Sequence, residues 1–283
     1  MTHIKNIGYF CKVDEEGNIR NESNWKCMNR NFQKAVERLV ELLLKNVRKD
    51  IHSIYIRGSL PKGLGIEHVS DIDAIVVIDS DQEANYREII SPISQEIMNH
   101  FPYVKGVEIG VYSHQDMVLN TDRFSIIPFM IKTHSLCVYG ENIQSKLPSY
   151  PINEALANDH IIRISSQINQ AKSDLVGNED VEDIKDCCTW IMKNIIRCGL
   201  AFTIVEERQY TRDLSPAFSL FRKHYPSKEK EMEAALSYAV QPVTDPDEVM
   251  EFLESFGVWI IQQAEEWLDT YNFNREYNLK VIW

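Results

Sequence analysis

Apart from the first 28 residues, every segment that reads as a β-strand falls between residues 51 and 140, and after the proline cluster LPSYPINE (147–154) only helical patterns remain. IHSIYIRG (51–58) alternates apolar and polar residues. DIDAIVVI (71–78) is a nearly continuous apolar run, YVKGVEIGVYS (103–113) alternates again, and SLCVYG (135–140) is a short fourth candidate. Helical spacing covers residues 29–50 and 81–100 within this half. Beyond it, 154–175, 180–206, 212–224, 228–240 and 246–271 all read as helices, punctuated by Pro226, Pro242 and Pro246. The first 28 residues predict a short strand or hairpin, with DEEGNI (14–19) as its turn. Strands gathered in one half and helices in the other imply an N-terminal domain of strands and helices, residues 1–145, followed by a helical bundle, residues 150–283. The sequence shows no internal repeat and no low-complexity tract.

One stretch, IRGSLPKGLGIEHVSDIDAIVVI (56–78), places charge where packing does not ask for it. Residues i and i+2 of a strand point to the same side, so Asp71 and Asp73 project together while Ile72 turns into the core. Two like charges held that close call for something positive between them. Hard oxygen ligands on one strand face suit magnesium. Gly58 and Ser59 end the preceding strand, where glycine lets backbone N–H groups approach an anion, the serine hydroxyl adds a donor, and a following helix start would favour phosphate. Glu108, mid-strand in VEIGVYS, is a third carboxylate able to share a metal or take a proton if it points the same way. Asp116 in SHQDM competes for that role but lies past the strand. His114 beside it reads as a turn histidine on the surface.

The motif GS, eleven residues, then SDID, an apolar run and a glutamate in a later strand resembles the nucleotidyltransferase superfamily that includes DNA polymerase β. RGSLPKGLGIEHVSDID followed by VEIGVYSHQD is most similar to the aminoglycoside adenylyltransferases acting on streptomycin and spectinomycin; the likeness is specific over residues 50–145. The resemblance implies an α+β chain: a nucleotidyltransferase-fold N-terminal domain with a small mixed β-sheet, then an all-α domain closing over nucleotide and acceptor. It implies that Asp71 and Asp73 hold two Mg²⁺ ions, the second shared with Glu108. It also implies that Gly58, Ser59 and Ser70 contact the triphosphate of ATP or another NTP, and that Glu108 is the general base on an acceptor hydroxyl. Lys193, Arg197 and Arg212 stand where relatives bring basic residues to the phosphates. Asp183 and Asp186, in the acidic EDVEDIKD (179–186), stand where relatives hold the acceptor's cationic groups. The implied activity is magnesium-dependent transfer of NMP, AMP in the first instance, to a small hydroxylated acceptor such as an aminoglycoside antibiotic.

Bulk properties narrow the alternatives. A formal charge of −12 counts against nucleic acid held along a broad surface, without excluding it, and permits a cationic small molecule. A protein or tRNA acceptor, as in a toxin–antitoxin-type nucleotidyltransferase, stays open, as does a nucleotide-binding partner module without turnover. Arg222 and His224 are too close for an R-x₄₋₆-H nuclease motif. No apolar run approaches the ~20 residues that cross a bilayer. The mixed, acidic N-terminus lacks a signal-peptide pattern, so the expectation is a cytoplasmic protein without membrane contact. Six cysteines without C-x-x-C spacing read as reduced thiols and make zinc an unexpected ligand. Trp190, Tyr210 and the FLESFGVWIIQQAEEWL stripe read as bundle core.

Overall fold

Apolar side chains at 32, 35, 36, 39, 42 and 43 recur at helical spacing, and in the computed structural model they line the buried face of α1 (Arg30–Val47). The structure describes residues 8–47, 49–80, 84–119 and 121–281. It is an α+β protein: a four-stranded mixed sheet with its helices, then a helical region. By contacts the described residues up to Asn18 group with Pro151–Lys280, and Ile19–Tyr150 form a second unit that Val281 joins.

In the sheet unit, α1 is followed by β1 (Ile51–Arg57), β2 (Ile72–Ile78), α2 (Ala84–His100), β3 (Val107–Ser113), α3 (His114–Val118), α4 (Ile126–His134) and β4 (Ser135–Gly140). The strand order is β3-β2-β1-β4. β1 runs antiparallel to both β2 and β4, and β2 is parallel to β3. Ile54, Ile56, Ile72, Ala74, Val76 and Ile78 share one buried core with α1 and α2. α4 packs against β1, and Tyr55 is fully buried too. The two central strands are thus covered on both faces, which explains the unbroken apolar run of DIDAIVVI. Asp81 to His100 read as one helix; its first three residues lie outside the described residues, and the helix is present from Ala84. α3 and α4 went unread because α3 spans barely one turn and α4 carries Pro128, which the first turn of a helix tolerates.

The helical unit contains α5 (Glu154–Ile161), α6 (Ile164–Leu175), α7 (Val181–Glu207), α8 (Leu214–His224), α9 (Glu229–Val240) and α10 (Pro246–Tyr271). α7 is the central element, touching each of the other five. Its Asp180 cap accepts N–H groups from Glu182 and Asp183. By length and composition α7 is apolar enough to cross a membrane, which the search for an unbroken apolar run missed, but 61% of its most apolar window is buried within the protein. Residues 154–175 form two helices instead of one. No proline or glycine marks the break at Ile162–Arg163, so the pattern reads straight through it.

No hairpin forms among the described residues before 28. Asp14 accepts the N–H groups of Glu16 and Asn18 to make a turn, and the nearest approach to a strand is an isolated bridge between Asn18 and Pro151. The segment instead pairs with the loop before α8: Cys11 N–H donates to Tyr210 O at 2.8 Å and Thr211 Oγ1 to Tyr9 O at 2.8 Å. That is why these residues group with the helices, where a sequence division at 145–150 assigns them to the first domain. Trp190 is 40% exposed on α7, a correction to its expected place in the core, whereas Tyr210 is fully buried.

Candidate active site

The site is built at one end of the sheet, where β1 ends and β2 and β3 begin. Asp73 stands in register with Arg57 on one side and Glu108 on the other. Registered residues of parallel neighbours point to the same face, so Asp73 and Glu108 project together. Arg57 reaches both: its Nη2 lies 3.3 Å from Asp73 Oδ1 and 3.4 Å from Glu108 Oε1. Arg57 is not among the site residues expected from sequence. Its signal was the last strand position before Gly-Ser, an unusual place for a charge facing an aspartate.

Gly58 has φ +85°, and a Cβ there would collide with the Asp73 carboxylate. Glycine is therefore required twice, by backbone and by the close approach. Ser59 Oγ lies 3.3 Å from Ser70 Oγ, and Ser70 Oγ accepts the Ile66 N–H at 2.9 Å. Gly58, Ser59 and Ser70 are thus drawn to the start of β2. The expected helix start after Ser59 is a single 3₁₀ turn, Leu60–Lys62, which Pro61 opens and Gly63 closes. Oriented donors here come from a turn, not a long helix. Asp71 precedes β2 and is exposed, with Oδ1 close over the Gly106 backbone.

Burial pushes the Asp73 carboxyl up to about 6; Arg57 pulls the other way, while Glu108 and Asp71 push with burial. Negative charge exceeds what one arginine offsets. Oxygen donors with unbalanced negative charge suit a hard divalent cation such as Mg²⁺, but Asp71, Asp73 and Glu108 are not gathered here as a set with ligand atoms within 4.8 Å of one another; Arg57 brings only Asp73 and Glu108 together.

The remaining expected residues lie in the helical unit. Asp183, Asp186, Trp190, Lys193 and Arg197 follow one another at spacings of three and four along α7, so they share one stripe about 21 Å long. Asp183 and Asp186 are exposed; Lys193 and Arg197 are partly buried. Arg212, in the loop before α8, and Arg197 meet around α5. Burial drives His160 well below its ordinary value, and Arg212 and Arg197 add to that. His160 Nε2 is 3.1 Å from the Tyr210 hydroxyl, whose pKa burial raises to about 12. Burial also raises Asp159, against Arg163 and Arg212. The two arginines named from sequence therefore both act electrostatically on the buried His160.

No family model matches the chain, and no curated protein matches it. Among solved structures, the crystal structure of spectinomycin adenyltransferase AAD(9) from Enterococcus faecialis with ATP and spectinomycin is similar with a TM-score of 0.47 and 14% identity, over 82% of this chain and 98% of that one. A likeness of that size carries no argument about this chain.

Proposed function

We propose that this protein is a nucleotidyltransferase that moves a nucleoside monophosphate, AMP from ATP in the first instance, to a hydroxyl of a small acceptor. The observation that supports it most is the bridging of Asp73 and Glu108 by Arg57, with Gly58, Ser59 and Ser70 gathered beside them. A purely structural ion pair needs neither the second carboxylate nor the glycine under it.

Asp71, Asp73 and Glu108 would hold magnesium, which supplies charge neutralisation at the α-phosphate and a more acidic acceptor hydroxyl. Gly58, Ser59 and Ser70 orient the triphosphate. Glu108, an open carboxylate at 72% exposure against 24% for Asp73, takes the acceptor's proton. The acceptor oxygen bonds to the α-phosphorus in line with the leaving group, the α–β bridging P–O bond breaks, and pyrophosphate departs with the electron pair. Most of the acceleration comes from alignment and charge stabilisation. Lys193, Arg197 and Arg212 add positive charge for the phosphates. Asp183 and Asp186 suit a cationic acceptor, an aminoglycoside being the leading class.

The test incubates the protein with α-labelled ATP and Mg²⁺ against an aminoglycoside panel, total tRNA and cell lysate. Label on a small cationic acceptor, lost in Asp73→Asn, is the expected result. Label in tRNA or protein would replace the acceptor class. No label in any fraction would leave a nucleotide-binding module instead of an enzyme.

A further inference from the structure

The opposite end of the sheet also gathers titratable side chains, and each of the four strands delivers one. His52 is the second residue of β1, Asp79 follows β2 directly, His114 follows β3 and Glu141 follows β4. The strand order β3-β2-β1-β4 sets them in a row: His114, Asp79, His52, Glu141. The β1–β2 register shifts between Ile51 and Ser53, so His52 is a bulged residue whose side chain is re-aimed. The two imidazoles stack with centroids 3.9 Å apart at 23°. His114 Nδ1 is 3.3 Å from Asp79 Oδ1, and His52 Nε2 is 3.5 Å from Glu141 Oε2. Ligand atoms of His52, Asp79 and His114 all lie within 4.8 Å of one another. His52 and Arg57 stand five residues apart on β1, so this cluster is about 16 Å from the carboxylates of the proposed active site.

We infer that His52, Asp79 and His114 form a second metal site, for zinc or a similar borderline divalent metal, that ties together three of the four strand ends. Two imidazoles and a carboxylate are a borderline donor set, unlike the all-oxygen set at Asp71, Asp73 and Glu108. Bonds of about 2.0 Å in a tetrahedron place ligand atoms about 3.3 Å apart, close to the His114–Asp79 separation above. Glu141 stays outside the set, its other carboxylate oxygen lying 2.6 Å from Lys146 Nζ. His52 Nδ1 lies 3.0 Å from Ser53 Oγ, a partner that orients the ring and leaves Nε2 for the metal. Zinc is unexpected from the sequence, where no cysteine or histidine pair stands at metal spacing and His114 reads as a surface turn residue. The ligands are 27 and 35 residues apart, so only the strand order reveals them.

The experiment titrates untagged, chelator-stripped full-length protein with Zn²⁺ by calorimetry and thermal denaturation, with Co²⁺ spectra as the report on geometry. One equivalent should bind and raise Tm. His52→Gln, His114→Gln and Asp79→Asn should each weaken binding at least tenfold, while Asp73→Asn leaves it intact. Should the histidine variants fail to fold, Asp79→Asn, at an exposed carboxylate, carries the comparison. No zinc uptake by the wild type, uptake indifferent to these changes, or uptake lost in Asp73→Asn would each overturn the assignment.

Discussion

Asp73 concentrates the energetics of the proposed active site. Its carboxyl is raised above its unfolded value to about 6, so the native state holds this proton more tightly than the unfolded chain. Stability from this group is therefore full in acid and falls as pH rises from about 4 through about 6. Asp73→Asn imitates the protonated form: Tm should rise at pH 8, match wild type near pH 4, and transfer should vanish. Thermal denaturation across pH reads this directly; a lower Tm at pH 8 would mean that the Arg57 pairing outweighs burial and repulsion. Arg57→Gln removes the cation between Asp73 and Glu108. It should lower Tm without magnesium and regain most of the loss with millimolar Mg²⁺, checked by paired melts. Gly58→Ala combines a strained φ with a collision on Asp73, and should cost about 1–3 kcal/mol in urea unfolding as well as activity.

Among the elements, α7 carries the clearest division of labour. Its buried face includes Ile184, Cys188, Ile191 and Ile195, while the stripe from Asp183 to Arg197 changes from acid through Trp190 to base. The double change Asp183→Asn, Asp186→Asn should leave Tm within about a degree, since both side chains are exposed, and raise KM for a cationic acceptor without altering ATP affinity. Arg197→Met should do the converse, weakening ATP binding about tenfold as measured by calorimetry. Periodicity made most of these elements legible: β1, α7 and α10 are where spacing put them, because each buries a face, and β4 is where its short apolar run put it although it is only half-buried. The GS–DxD spacing marked Gly58, Ser59, Asp71 and Asp73 as candidates, the strand VEIGVYS added Glu108, and Ser70 came only with the motif's resemblance. Arg57 was not legible, since a charge at a strand end acquires meaning only from the register across two neighbours. The hairpin expected before residue 28 failed for a related reason. Its polar groups are satisfied by Tyr210, Thr211 and Asp213, some two hundred residues away, and no local pattern records such partners.

At the scale of the whole molecule, the chain leaves the helical unit after Asn18 and re-enters it at Pro151, so its first residues and its last helices belong together. Removing residues 1–18 should accelerate hydrogen exchange in α5 and α8 while β1 and β2 keep their protection; uniform loss of protection would mean that the two units do not open separately. A charge of −12 spread over the chain means that any triphosphate must be met by locally gathered cations. The proposal confines them to the arginines named here and to metal held by three carboxylates. Crystals grown with Mn²⁺ and a non-hydrolysable ATP analogue decide the matter by anomalous scattering. The proposed chemistry requires a manganese peak coordinated by Asp71 and Asp73, with the analogue's phosphates beside Gly58 and Ser59. Nucleotide bound elsewhere, or bound here with Arg57 still bridging Asp73 and Glu108 and no manganese on the aspartates, would contradict it.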